Sequence, residues 1–207
     1  MNGADCDFSP MKQKVAEHIQ QLIHELQQNL NILENEDYCV LGNLEGIKKN
    51  LLYIESMAAS FYLNCYLSAF TDTYKDLSIC VQHLSKQHHG ALIVVERLNP
   101  LDAIIQKGTI VGATVTSTLL ESIFYPGNPL HDGAVLIRGN KIVSAGNVLP
   151  LTTKDVGERK LGTRHRAALG VTEQSDALAL VVSEETQKIS FALNGKLYPV
   201  ITTQSLH

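Results

Sequence analysis

The sequence predicts an α/β fold, with a mixed sheet flanked by helices, preceded by an N-terminal α-helical hairpin. Up to about residue 65, apolar residues recur every three or four positions, which is the spacing of amphipathic helices. From about residue 70, short apolar runs of strand length alternate with helical segments. A content of 44% hydrophobic and 18% charged residues is typical of a folded globular chain. We therefore expect two domains, a helical hairpin of residues 1–65 and an α/β domain of residues 66–207.

The N-terminal domain begins with a helix-start signal at Ser9-Pro10, where a hydroxyl can cap the helix and proline occupies its first position. An apolar stripe of helical spacing then covers residues 11–33, and a second one covers residues 40–54. The polar residues 35–37 interrupt the pattern between them. Two amphipathic helices joined by a short turn predict an antiparallel hairpin. This hairpin either packs on the main domain or acts as an oligomerising or regulatory arm.

The first strand of the α/β domain is predicted at residues 91–95, an uninterrupted apolar run that is typical of a strand buried on both faces. Residues 77–88, just before it, have helical spacing. A short strand or turn followed by a helix is predicted within residues 111–124, and another helix at 164–174. Further strands are predicted at residues 134–137, 142–145, 177–182, 188–193 and 198–201.

The composition excludes several classes of protein. A formal net charge of −4 argues against sequence-independent nucleic-acid binding, so DNA is not an expected partner. No apolar run reaches the roughly 18 residues of a membrane span, and no secretory leader is apparent, so we expect a soluble cytoplasmic protein. The cysteines form no C-x-x-C pair and are predicted to be reduced thiols rather than zinc ligands; they are Cys6, Cys39, Cys65 and Cys80.

Asp132 is the first candidate for chemistry, because it lies where a loop ends and a buried strand begins. Gly133 and Ala134 follow it and leave room for a ligand to approach the main chain. A carboxylate at such a rim can hold a divalent cation and help a hydroxyl to lose its proton. The alternative is a turn aspartate whose side chain caps its own backbone.

The second candidate is the basic cluster of Arg164, His165 and Arg166, which follows Gly162-Thr163 at a predicted helix start. Threonine is a competent cap, and the N–H groups and dipole of the first helical turn favour an anion. Two guanidinium groups can hold phosphate oxygens in pairs, and the imidazole can donate one more hydrogen bond. The alternative is a solvated basic turn.

A third segment, Ser183-Glu184-Glu185, follows a predicted buried strand and would add a hydroxyl or carboxylates to the same rim. Its alternative interpretation is an ordinary hairpin turn. The sequence contains no P-loop, no dinucleotide-binding G-x-G-x-x-G and no G-x-S-x-G, so the common kinase, dehydrogenase and hydrolase mechanisms are unsupported.

Taken together, residues 129–134, 149–151, 162–170 and 182–185 resemble the diadenylate cyclase domain, whose family makes cyclic di-AMP from ATP. The resemblance extends from about residue 90 to residue 191, and the D-G-A and R-H-R triplets are its two signatures. It implies a mixed sheet flanked by helices, ATP as substrate, and Mg²⁺ or Mn²⁺ as the cofactor.

The resemblance also implies roles for individual residues. Asp132 would bind the metal and help to deprotonate the 3′-hydroxyl of ATP, while Gly133 would let the ribose lie close. Arg164, His165 and Arg166 would hold the triphosphate and stabilise charge on the α-phosphoryl group and on pyrophosphate. The implied nucleotide-binding residues are Ala134, Leu149, Leu151, Gly162, Thr163, Ser183, Glu184 and Glu185.

Because one such domain binds one ATP, the resemblance implies a homodimer in which two copies face each other. The commonest family members carry membrane helices or a DNA-binding module, whereas this chain has the helical arm. That arrangement is similar to the short, spore-associated type of bacilli, and we expect the arm to assemble the chain into a higher homo-oligomer. Two rival hypotheses are a non-catalytic sensor of ATP or cyclic di-AMP, and an interaction protein built on the hairpin.

Overall fold

The computed structural model describes residues 9–33, 39–154 and 161–200. The chain divides into two compact units, of which one ends at Tyr62 and the other begins at Leu63. The turn predicted at residues 35–37 lies outside the described residues, as does the last residue of the strand predicted at 198–201.

Two long helices, α1 (Ser9–Ile32) and α2 (Leu41–Ser68), make up the first unit, and α2 continues into the second unit. Their contacts run in opposite directions along the two helices, which confirms the predicted antiparallel hairpin. In the second half of α1, Glu25 Oε2 accepts a hydrogen bond of 2.8 Å from Asn50 Nδ2 of α2. Farther along, the ring of His18 meets that of Tyr53 edge-on at 5.5 Å, and Lys12 Nζ lies 5.5 Å from the centre of the Phe61 ring.

The second unit contains a seven-stranded mixed sheet with the strand order β2-β4-β3-β1-β5-β6-β7. Strands β1 and β3 are parallel, and all other neighbouring pairs are antiparallel. The strands are β1 (Ala91–Glu96), β2 (Thr109–Thr114), β3 (Ala134–Arg138), β4 (Lys141–Asn147), β5 (Leu178–Val182), β6 (Ile189–Leu193) and β7 (Lys196–Val200). The helices are α3 (Tyr74–Lys86), α4 (Ser117–Ile123) and α5 (Thr163–Gln174).

Strand β1 lies at the centre of the sheet, and all of its residues are buried, as its uninterrupted apolar sequence predicts. Because side chains alternate between the two faces, Leu92 and Val94 share one face, where they join a core with Ala168 and Val171 of α5. Helix α3 packs against β5, β6 and α4. The predicted class, a mixed sheet flanked by helices and preceded by a hairpin, is confirmed.

Two smaller findings complete the fold. Within the described ranges, no helix combines the length and the apolar character needed to cross a bilayer. Cys39 and Cys80 are free thiols, but Cys65 is in a disulfide, which corrects the expectation that all four cysteines are reduced.

Candidate active site

The strand register brings the predicted site segments to one edge of the sheet. In the antiparallel β1–β5 pair, Ala91 is opposite Val182, so Gly90 and Ser183 lie just beyond the same edge. Strand β3 runs parallel to β1, so Asp132 and Gly133, which precede β3, approach that edge as well. The segment after β4 arrives there too, because β4 runs antiparallel to β3.

A cleft of about 1290 Å³ opens at this edge and has room for a nucleoside triphosphate. Most of the sequence-predicted site residues line it: Asp132, Gly133, Leu149, Leu151, Gly162, Thr163, Arg164, His165, Ser183, Glu184 and Glu185. Two predicted residues are not among its lining residues. Ala134 is buried at the start of β3, and Arg166 is exposed with its carbonyl oxygen accepting a hydrogen bond from Thr152 N at 3.0 Å.

Asp132 offers an exposed carboxylate at the cleft, and it forms no side-chain hydrogen bond or ion pair with any residue in the described ranges. Gly133 holds the turn after it with a φ of +112°, in the left-handed region that side chains disfavour. A Cβ at this position would lie 2.8 Å from both Asn147 O and Gly146 C. Glycine is therefore required there by the backbone itself, in addition to any need for a ligand to lie close.

The backbone behind Asp132 is fixed by Asn147, a buried residue that the sequence analysis missed. Its Nδ2 donates to Ala134 O at 2.7 Å and to Ser144 O at 3.1 Å. Its Oδ1 accepts from Ser144 Oγ at 2.7 Å and from Gly108 N at 3.0 Å. A buried amide with these bonds made is costly to disturb, so Asn147 ties the D-G-A turn to β4.

Helix α5 points its N-terminus at the cleft. Its cap residue is Gly162, without a side-chain cap bond, and Thr163 is already helical, so the prediction of Thr163 as the cap is wrong. The N–H groups at the start of a helix lack intrahelical acceptors, which leaves the first turn suited to an anion. Burial lowers the pKa of His165, so its imidazole is largely neutral near pH 7 and has one ring N–H to donate.

Arg164 is held on the other wall of the cleft by the segment after β5. Its Nη1 donates to Glu184 Oε2 at 3.2 Å, with side chains 27% and 65% exposed. An ion pair so exposed contributes little net stability, so a phosphate group can compete for the guanidinium. The backbone of the turn is closed by Ser183 N donating to Lys188 O at 3.0 Å, and Ser85 Oγ of α3 donates to Gln187 O at 2.5 Å.

The segment of Leu149 and Leu151 is tied to α5 through Thr152. Besides the bond from its N–H to Arg166 O, its Oγ1 donates to Glu173 Oε1 at 2.8 Å. This connection keeps the main chain after β4 against the helix that carries the basic residues. The distance between this segment and the start of α5 is therefore fixed before a ligand binds.

The donor set fits a divalent cation shared with a phosphate ligand. In the described part of the chain, no three His, Cys, Asp or Glu side chains cluster closely enough to hold a metal ion by themselves. Mg²⁺ commonly binds through one or two carboxylates together with substrate phosphates and water. Asp132, whose carboxylate is exposed and has no partner among the described residues, is the residue that would hold it.

Gly90 is a further residue that sequence analysis missed. It is buried just before β1, and the guanidinium group of Arg164 lies against it. The available signal was a glycine directly preceding an uninterrupted apolar strand, which favours close approach by another group. The sequence alone does not indicate that the approaching group is the Arg164 side chain.

A mixed sheet with an acidic turn and a basic helix start at one cleft defines a nucleotide-binding α/β domain. Residues 78–197 match the family described as "DisA bacterial checkpoint controller nucleotide-binding", and residues 3–70 match "Diadenylate cyclase CdaS, N-terminal". The chain belongs to the diadenylate cyclase family. It is thus an enzyme, a nucleotidyltransferase.

Individual relatives resemble the chain over most of its length. The diadenylate cyclase CdaS of Bacillus thuringiensis is 55% identical over 82% of this chain and 85% of its own. The cyclic di-AMP synthase CdaS of Bacillus subtilis is 49% identical over 94% of this chain and 93% of its own. A crystal structure from Bacillus cereus, described as a hypothetical membrane spanning protein, aligns with a TM-score of 0.77 and 50% identity. That alignment covers 94% of this chain and 95% of the other.

Proposed function

We propose that two copies of this chain face each other across their clefts and convert two molecules of ATP into cyclic di-3′,5′-AMP and two molecules of pyrophosphate. The observation that carries the proposal is the cleft lined by both the exposed carboxylate of Asp132 and the N-terminus of α5 with Arg164 and His165. Each copy holds one ATP, and the 3′-hydroxyl of that ATP reacts with the α-phosphorus of the ATP in the other cleft. A monomer is therefore inactive.

In each of the two steps, a 3′-oxygen attacks the α-phosphorus of the ATP held by the other copy. A P–O bond to that oxygen forms, the P–O bond to the β-phosphate breaks, and pyrophosphate leaves with the electron pair. A divalent cation, Mg²⁺ or Mn²⁺, would when bound supply positive charge that favours loss of the hydroxyl proton and offsets phosphate charge. Asp132 would hold that cation, orient the hydroxyl and accept its proton, and Gly133 would let the ribose approach.

The basic side of the cleft acts on the triphosphate. The main-chain N–H groups of Gly162 and Thr163, the guanidinium of Arg164 and the N–H of His165 bind phosphate oxygens. Because these donors are fixed before the reaction, they stabilise charge that develops on the α-phosphoryl group and on pyrophosphate. Arg166 stays a prediction of the family resemblance, since its side chain is exposed and does not line the cleft.

The other residues predicted to bind nucleotide complete the site. The main chain at Leu149 and Leu151 contacts adenine, and Ala134 supports the ribose from beneath the D-G-A turn. Ser183 and Glu185 lie near the phosphates and the cation. Glu184, which is paired with Arg164, positions that arginine.

The test is incubation of the purified full-length chain with ATP and either Mg²⁺ or Mn²⁺. We expect cyclic di-AMP and pyrophosphate in a ratio of one to two, because each ring closure releases two pyrophosphates. ATP binding without product would support the rival sensor hypothesis. Neither binding nor product would favour an interaction protein built on the hairpin.

The helical hairpin, in this proposal, assembles the chain into a homo-oligomer that restrains face-to-face pairing of the clefts. Its support is an apolar surface on the hairpin, where Leu30, Leu33 and Leu41 are 70%, 63% and 74% exposed. Exposed apolar patches commonly mark interaction surfaces, and these leucines would form part of one. The reaction draws on ATP, so we place it in the cytoplasm, without DNA or a membrane as partner.

Deleting residues 1–60 is expected to lower the solution mass to that of a small oligomer and to raise the specific activity several-fold. The physical reason is that the clefts become free to pair once the hairpin no longer fixes their arrangement. Light scattering and the rate of cyclic di-AMP formation measure the two effects. An unchanged or lower rate in a truncated chain that is folded would contradict the proposal.

Point variants separate the hairpin surface from general loss of apolar area. Leu30→Ser and Leu33→Ser should weaken assembly because they remove exposed leucines from the hairpin. Leu98→Ser is the matched control, since Leu98 is 77% exposed and lies outside the hairpin. Equal masses for all three variants and the parent would argue against assembly through this surface.

A further inference from the structure

Gly90 has one close neighbour that matters for the cleft, the end of the Arg164 side chain. A Cβ built on Gly90 would overlap Arg164 Nη1 and lie 2.9 Å from Arg164 Cζ. The next nearest atom is Glu184 Cβ at 3.2 Å. The guanidinium therefore rests on the bare main chain at the start of β1, between that strand and the carboxylate that accepts its hydrogen bond.

The backbone of Gly90 does not itself demand glycine. Its φ is outside the left-handed region, unlike that of Gly133, so an alanine there would not strain the main chain. The closest atoms that a methyl group would meet belong to the tip of a flexible side chain, which can move away. Gly90→Ala should therefore shift the Arg164 side chain and change the fold much less.

We propose that Gly90 is a positioning residue. Because Gly90 has no side chain, the Arg164 guanidinium can lie against its main chain, in the position from which it binds the phosphates of ATP. This inference rests on the proposed function for the role of Arg164. Guanidinium groups bind phosphate through a planar fork whose geometry is fixed, so a displacement of about an ångström costs hydrogen bonds rather than merely lengthening them. An alanine at Gly90 displaces the Arg164 guanidinium from this position and turns it away from the phosphates.

The test is a double-mutant cycle on the full chain, with the dissociation constant of ATP in the presence of Mg²⁺ as the main readout. Gly90→Ala is expected to weaken ATP binding about tenfold, the scale of one charge-assisted hydrogen bond. In the Arg164→Ala background the same change should have almost no further effect, because the group that it displaces is absent. The melting temperature of Gly90→Ala should stay close to that of the parent.

Gly46→Ala is the matched control, because a Cβ at Gly46 in α2 meets no atom within 4 Å. It should bind ATP as the parent does. Equal losses for Gly90→Ala with and without Arg164 would overturn the inference, since the effect would then not pass through that arginine. So would unchanged ATP binding by Gly90→Ala in a parent that makes cyclic di-AMP.

The outcomes also distinguish this inference from the proposed function. A parent that binds ATP but forms no cyclic di-AMP would refute the function. Non-additive effects of Gly90→Ala and Arg164→Ala on ATP binding in the same protein would still support the role of Gly90 in positioning Arg164. A parent that does not bind ATP would overturn both. A crystal structure of Gly90→Ala that keeps the Arg164 guanidinium within hydrogen-bond distance of Glu184 Oε2 would also overturn the inference.

Discussion

The Asp132→Asn variant is expected to form cyclic di-AMP at least about a hundredfold more slowly than the parent, the usual range for loss of a positioned proton-transfer group. Asparagine keeps the size of the side chain but removes the charge that holds a cation and assists ionisation of the 3′-hydroxyl. The fold should be unaffected, because the carboxylate is exposed and has no hydrogen-bond or ion-pair partner in the described part of the chain. Cyclic di-AMP formation at saturating ATP measures the loss.

Asp102→Asn is the control for the loss of one negative charge. Asp102 pairs with Lys107 and with Arg138, at the opposite end of β3 from the cleft. Because Asp102 is exposed to solvent, removing its charge should leave the fold and the rate close to those of the parent. If both variants were equally slow, net charge rather than a group in the cleft would explain the loss.

The α/β class followed from the sequence because its central strand is also its most apolar one. Residues 91–95 read as a strand buried on both faces, and β1 (Ala91–Glu96) lies in the middle of the sheet. The hairpin followed from two long helical stripes for the same reason, since the period of apolar residues reports the element that buries them. Strand β2 was harder to predict, because its residues are mostly exposed at the edge of the sheet.

The sheet order could not be read from the sequence, because it depends on which distant strands pair. The parallel β1–β3 pair and the antiparallel β1–β5 pair join segments more than forty and eighty residues apart along the chain. These pairings are what carry Gly90, Asp132 and Ser183 to one edge. The candidate site residues could be recognised as sequence motifs, but their common location at one edge of the sheet could not be predicted.

The supporting residues escaped prediction for a related reason. Asn147 and Gly90 act through contacts with segments distant in sequence, and neither residue type is unusual at the end of a strand. The cap of α5 was misplaced by one residue, since Thr163 is a good cap by type whereas the backbone makes Gly162 the last non-helical residue. Residue type alone does not identify the cap residue of a helix to within one position, because the backbone conformation also decides it.

Replacing Arg164 with alanine is expected to lower the rate of cyclic di-AMP formation by about a hundredfold, as loss of a fixed donor to a developing charge commonly does. Arg166→Ala, two residues along the same helix but outside the lining of the cleft, should lower the rate much less. Arg164→Lys should fall between them, because a lysine keeps the charge but lacks the planar fork that grips two phosphate oxygens. Equal losses for Arg164→Ala and Arg166→Ala would contradict this division, and would mean that the second arginine reaches the triphosphate in the paired enzyme.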